Sequence, residues 1–153
     1  KQRQYRNWDC ILGSRFLKNS KLIGYSQLRI FGNWGINLLG SIICRRILYD
    51  MGAGLNIYNI KMLEDQFFLR FPNGLTFNYY MMFYTVGIKA SFKYFSLTWR
   101  EEDQISNLNM ISHLNEWLIV IKDYLFNFNY FMNEYHCPDQ QYEYNILYTI
   151  ENG

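Results

Sequence analysis

Proline and cysteine are scarce in this 153-residue chain, with two and three residues, and only 18% of positions are charged. Cys10, Cys44 and Cys137 are odd in number and lack CxxC spacing, which argues against a disulfide framework and makes a reducing cytosol the default. His113 and His136 lie far apart with no neighbouring cysteine or carboxylate pattern, so no metal site is expected in this chain. Long apolar runs are missing too. The uncharged apolar stretch from Ile30 to Cys44 has fifteen residues and falls short of a bilayer span; no signal peptide opens the chain. The reading is a protein that can touch a membrane without crossing it.

What is abundant is apolar and aromatic surface, 50% and 20% of the residues. That suffices for one domain with a real core, and it leaves apolar area for a partner, a membrane or a missing piece of the same protein. The net charge of +2 conceals an asymmetry. Nine lysines and arginines stand against two aspartates from Lys1 to Asp50, and six bases against eleven acids thereafter. A basic first third suits an anionic ligand such as a diphosphate, or an anionic membrane surface; a merely solvated face is the plain alternative. No nucleic-acid partner is expected, because the bases do not interleave with aromatics in the later half and no RNP or KH pattern occurs.

Asp9 to Gly13 reads as a short buried strand, with Ser14-Arg15-Phe16 where its end meets a loop. Ligands in open α/β sheets sit at such carboxyl ends, which makes Arg15 a candidate contact or an ordinary surface arginine. Leu22 to Leu48 is the longest helical candidate, with Phe31, Trp34, Leu38 and Ile42 in a stripe. Packing of that stripe in the core is the commoner outcome; the alternative lays it in a membrane interface, with Arg29, Arg45 and Arg46 at headgroup level. Later elements are a strand over 55–58, a helix over 60–69 capped by Asn59, and a helix over 77–85. An alternating strand follows over 88–98, then a helix over 108–126 with Ile111, Leu114, Leu118, Ile121 and Leu125 on one face. Residues 141–150 read as extended. The fold class is α/β, with about four helices and three or four short strands.

The stretch Tyr49 to Tyr58 holds Asp50 followed by Gly52 and Gly54, then a short strand. Glycine tolerates positive φ and close approach, so this suggests a tight, ligand-facing turn with Asp50 as a candidate base. A plain turn with a capping aspartate is the simpler reading. Trp99 through Asn107 is the most polar stretch; it suits a sugar stacked on an indole, or a solvated loop.

Three pieces in this order resemble the second half of a family 2 glycosyltransferase of the GT-A type, which includes the dolichol-phosphate and undecaprenyl-phosphate sugar synthases. Leu12-Gly13-Ser14-Arg15-Phe16 resembles the family's Gly-Ser-Arg-aromatic strand end. Asp50 to Asn56 is similar to its Asp-x-x-Ser-Gly-Phe-Arg turn, and Leu97 to Arg100 through Ser106-Asn107 to its late strand and Arg-containing loop. Arg29 and Asn33 match an Arg-x-x-x-Ser element. The resemblance covers roughly residues 9 to 126. Asn33 and Ala53 replace serines, Asn56 replaces an arginine, and the stretch from Arg100 to Ser106 is about one residue longer than the family's pattern.

The resemblance implies the C-terminal, acceptor-side part of a GT-A-like mixed sheet. It also implies sugar transfer, with inversion, from a nucleotide-sugar to a lipid-linked or glycan acceptor, in envelope or capsule polysaccharide synthesis. Asp50 is then the base, if one is used; an acceptor that is already a phosphate needs none. Arg15, Arg29 and Arg100 bind phosphates, while Ser14, Asn33, Gly54, Trp99, Gln104, Ser106 and Asn107 line the substrate site. The family's Asp-x-Asp, which holds Mg²⁺ or Mn²⁺ and the donor diphosphate, does not occur here. The expectation is therefore a half that is inactive alone, cytoplasmic or peripheral at the inner membrane face, and able to pair with itself. The rival expectation is a non-catalytic membrane-surface or partner-binding module.

Overall fold

The computed structural model describes residues 8–101, 110–134 and 136. The chain is mixed α/β. In order come β1 (Cys10–Ser14), β2 (Lys21–Ile23), α1 (Gln27–Cys44), β3 (Asn56–Tyr58) and α2 (Ile60–Leu63). A 3₁₀ turn (Phe67–Arg70) follows, then α3 (Phe77–Gly87), β4 (Phe92–Ser96), β5 (Thr98–Arg100), α4 (Met110–Phe126) and α5 (Phe128–Asn133). Among the described residues no helix is long and apolar enough to cross a membrane.

β1 is the centre of a three-stranded sheet, antiparallel to β3 and parallel to β4. β2 and β5 form a separate parallel pair. The alternating strand expected over 88–98 thus divides. At Leu97 the chain passes from one sheet to the other, its N–H donating to the Ser14 carbonyl (3.0 Å) and its carbonyl accepting from Lys21 N (3.1 Å). This crossing carries Trp99 and Arg100 away from β4 and beside Leu22 and Ile23.

The core lies on the face of the sheet that carries Cys10, Leu12, Phe92 and Tyr94. α3 is buried from Tyr79 to Val86, which explains a helix apolar on every side. Around it the rings of Phe67 and Tyr84 stack at 3.9 Å, and those of Tyr80 and Phe131 at 5.5 Å. Such pairs add to burial through their quadrupoles.

Three expectations are corrected. Asn59 does cap a helix, accepting from Lys61 N at 3.1 Å, but α2 lasts one turn before Gln66 takes a left-handed φ of 50°. On α4 the side packed inward is Trp117, Val120, Ile121 and Tyr124, while Leu114, Leu118 and Leu125 are exposed. The third concerns α1, which is turned inside out. Phe31, Leu38 and Ile42 are each 64% exposed and Trp34 55%. The buried side instead carries Asn37 and Gly40, with Ser41 beside them. Asn37 donates from Nδ2 to the Tyr49 carbonyl (3.0 Å) and accepts at Oδ1 from Met51 N (2.9 Å). Ser41 Oγ accepts from Leu48 N at 2.9 Å. The returning segment 48–51 has no strand partner, so its backbone groups are satisfied by polar side chains of the helix, as burial requires. Gly40 makes room for the Met51 sulfur. The stretch over 141–150 lies outside the described residues.

Candidate functional site

The grip of Asn37 on residues 49 and 51 presents Asp50 to the end of β1. There the Asp50 side chain is fully buried and takes three hydrogen bonds from one residue. Arg15 donates from its backbone N (2.9 Å) and Nε (2.8 Å) to Oδ2, and from Nη2 (2.8 Å) to Oδ1. This is a two-pronged guanidinium–carboxylate pair reinforced by the main chain. Burial opposes the Arg15 charge, and the hydrogen bonds and charge of Asp50 outweigh it, leaving the guanidinium pKa above its ordinary value.

The glycines at this turn serve close approach. A Cβ on Gly52 would lie 3.2 Å from the Tyr79 hydroxyl and 3.3 Å from Arg15 Nη2. Neither Gly52 nor Gly54 takes the left-handed φ expected of them; among the described glycines Gly24 does, at 73°. Burial pushes the Tyr79 phenol up to about 12, against the opposing pull of Arg15, so it stands protonated. Gly13 is tighter still. A Cβ there would meet the Leu55 carbonyl oxygen at 2.5 Å, the same oxygen that accepts from Gly13 N at 3.0 Å. Asn56 secures the turn, accepting from Gly13 N (3.1 Å) and donating to the Ala53 carbonyl (2.8 Å).

From Arg15 the contacts continue outward. Its guanidinium carbon lies 5.5 Å from the ring centre of Phe16, 5.7 Å from Tyr25 and 5.9 Å from Trp99. Arg15 Nη1 donates to the Tyr25 hydroxyl at 3.2 Å, and Asn33 Nδ2 donates to the same oxygen at 3.1 Å. Arg29 stands over the Tyr25 ring at 4.8 Å, and its Nη1 lies 2.6 Å from both oxygens of Glu101. The result is one connected cluster drawn from four separated stretches of chain.

Of the residues singled out in the sequence, Arg15, Arg29, Asn33, Asp50 and Trp99 therefore meet here. Ser14 is buried and structural: its Oγ accepts from Phe16 N (3.1 Å) and its carbonyl from Ser20 Oγ (2.6 Å). Gly54 is exposed at the turn, and Arg100 is exposed on β5. Gln104, Ser106 and Asn107 lie outside the described residues. Asp50 and the three arginines do not share one set of contacts, since Arg15 holds Asp50 while Arg29 holds Glu101. Tyr25, central to the cluster, drew no notice in the sequence. Its only signal there is its position four residues before Arg29.

Arg15 fills three of the roughly four acceptor positions of the Asp50 carboxylate, and the side chain has no exposed surface. A general base must reach the acceptor proton, so in this arrangement Asp50 orients Arg15. Among the described residues no three His, Cys, Asp or Glu side chains come together to hold a metal, and no step is assigned to one. Comparison with known proteins finds no matching family model, curated protein or solved structure.

Proposed function

We propose that this chain is the acceptor-side part of an inverting glycosyltransferase that moves a sugar from a nucleotide-sugar onto a lipid-linked phosphate at a membrane surface, in envelope or capsule polysaccharide synthesis. The observation that carries the reading is the convergence on Arg15 of Asp50, Tyr25 and Trp99, with Asn33 on the Tyr25 hydroxyl, from segments far apart in sequence. In the reaction an acceptor oxygen forms its bond to the anomeric carbon as the bond to the nucleotide diphosphate breaks on the opposite face. A hydroxyl acceptor must lose a proton; a phosphate oxygen is already anionic. The Asp50 carboxylate is committed to Arg15, which favours the phosphate acceptor, with Arg15 as its counter-charge. The outer face of α1 supports a membrane location. It presents an exposed apolar stripe from Leu28 to Ile42, about 21 Å long, within a segment from Cys10 to Tyr49 that holds six bases and no acid.

The test is sugar transfer by the intact enzyme, using a panel of nucleotide-sugars with polyprenyl phosphate in bilayers and with free oligosaccharides. Transfer to the lipid phosphate is expected. Absence of transfer to either acceptor rejects the reading.

The same α1 face favours a second reading, a non-catalytic membrane-surface module. It predicts salt-sensitive co-sedimentation with anionic vesicles and no transfer. Arg45 and Arg46 are both exposed at the end of α1, with Arg46 also donating to the Ala90 carbonyl (3.1 Å) and lying over Phe92 at 4.2 Å. Lys18, Lys21, Arg45 and Arg46 are therefore the cations to replace in that experiment.

A further inference from the structure

The apolar stripe of α4 takes no part in the cluster around Arg15. Leu114, Leu118, Ile121 and Leu125 recur at spacings of four, three and four, the step of a coiled-coil seam. At about 100° per residue they fall within roughly 60° of arc. The core uses a different side of the helix, where Trp117 and Val120 are buried and Tyr124 packs beside them. Leu114, Leu118 and Leu125 are 47%, 49% and 47% exposed, and Ile121 sits half-buried at the border between the two sides. One helix thus carries two apolar sides, and the core covers one.

Charge separates this outward side from that of α1. Glu116 and Asp123 stand on α4 against Lys122, whereas the segment holding α1 has six bases and no acid from Cys10 to Tyr49. An anionic bilayer attracts the basic segment and gives α4 no such pull. The stripe is also narrow, and a narrow seam at this spacing fits another helix, whose side chains interleave with it.

A second copy supplies the matching helix. Laid antiparallel about a two-fold axis between Ile119 and Val120, α4 sets Leu114 against the partner's Leu125 and Leu118 against the partner's Ile121. The half-buried Ile121 then meets an outward leucine; parallel packing would set it against its own half-buried copy. Antiparallel packing also brings the exposed Asn115 near the partner's Lys122, where parallel packing would place the two lysines level. Ile119 and Phe126, exposed beyond Asn115 and Lys122, stay outside the seam. The four layers and their margins cover on the order of 1,000 Å² in total, the lower edge of specific interfaces, which corresponds to a dimer of about 10–100 μM.

We propose that the outward side of α4 is the interface of an antiparallel homodimer, with Leu114, Leu118, Ile121 and Leu125 as its seam. The proposal does not rest on the transferase reading.

The experiment is sedimentation equilibrium on the full chain, from about 1 to 500 μM, a range that brackets that affinity. A monomer at low concentration passing to a dimer at high concentration is expected. Leu118→Gln and, separately, Leu125→Gln are each expected to weaken association at least tenfold with an unchanged amide spectrum, since both side chains already face outward. Asn115→Asp should tighten the dimer about threefold and Asn115→Lys loosen it about threefold, both effects fading at high salt. These two exchange one exposed polar group for another, so they read the interface even if a leucine variant unfolds. Leu38→Gln with Ile42→Gln, on α1, should leave the dimer intact. A chain that stays monomeric throughout overturns the proposal, as does a Leu118→Gln variant that dimerises at wild-type strength. Equal effects of Asn115→Asp and Asn115→Lys overturn the antiparallel register, and loss of the dimer in the α1 variant places the interface elsewhere and overturns the assignment to α4.

Discussion

The side-chain oxygen of Asn37, buried on the inner side of α1, accepts a hydrogen bond from the backbone N of Met51 at 2.9 Å. With the bond from Asn37 Nδ2 to the Tyr49 carbonyl, it brackets Asp50 from both sides along the chain. The helix thereby sets where the carboxylate meets Arg15. Replacing Asn37 by leucine leaves a buried N–H and a C=O without partners, at about 1–3 kcal/mol each. The expected outcome is a lower urea midpoint and faster hydrogen exchange at Met51; an unchanged midpoint would show that the bracket contributes nothing.

The Arg15–Asp50 pair is buried, so removing one partner strands the other's charge. Asp50→Asn and Arg15→Met should each destabilise the fold by roughly 3–5 kcal/mol, while the double replacement Arg15→Met with Asp50→Leu costs much less. A double-mutant cycle measures the coupling. Singles that merely add up to the double would mean that the pair is not coupled. Where the single variants fold, Asp50→Asn should also weaken phosphate binding by loosening Arg15.

Two glycines make opposite predictions. At Gly13 an added methyl meets the Leu55 carbonyl at 2.5 Å and Leu97 Cδ1 at 2.6 Å, so Gly13→Ala must push backbone and should cost about 1–3 kcal/mol. At Gly35, mid-helix, nothing lies within 4 Å of the new Cβ. Gly35→Ala should therefore stabilise α1 by up to about 1 kcal/mol through helix propensity. Thermal unfolding of both variants tests the contrast, and the same sign in both would contradict it.

The exposed side of α1 should be separable from folding. Leu38→Gln with Ile42→Gln is expected to leave stability within about 0.5 kcal/mol, since both side chains already face outward. Vesicle co-sedimentation, by contrast, should fall several-fold as apolar insertion is lost. Collapse of the fold in this variant would return the stripe to the core.

Asp9 ties the start of β1 to the residue before β4: its Oδ2 accepts from Ser91 N at 2.7 Å and from Ser91 Oγ at 2.8 Å. The backbone bond first, then the hydroxyl, holds its carboxyl below the usual carboxylate range. A depressed folded pKa contributes stability that is fully present above the unfolded value, near 3.9, and is lost as pH falls through the folded value. Urea midpoints measured from pH 5 downward should therefore fall less steeply in Asp9→Asn. Because the group is only partly shielded from solvent, the difference should stay below about 1 kcal/mol. Identical slopes would refute the assignment.

Local order along the chain was legible before any coordinates. The β1 run needs only burial of consecutive apolar residues; Gly13 and the Asp50 turn follow from close approach, and α3 from apolarity on every side. The encounter of Arg15 with Asp50 was not readable from periodicity, because a contact thirty-five residues apart leaves no periodic trace. Which face of α1 turns inward was beyond periodicity altogether. An apolar stripe names a side but not its direction, and here the backbone of residues 48–51 had to be satisfied by Asn37 and Ser41. Composition and pattern thus settled the α/β class and the larger elements, which depend on neighbours along the chain, but not β2, β5 or α5. The cluster around Tyr25 was decided in three dimensions, where the crossing at Leu97 carries Trp99 beside β2 and the lone pairs and protons of distant side chains are matched one by one.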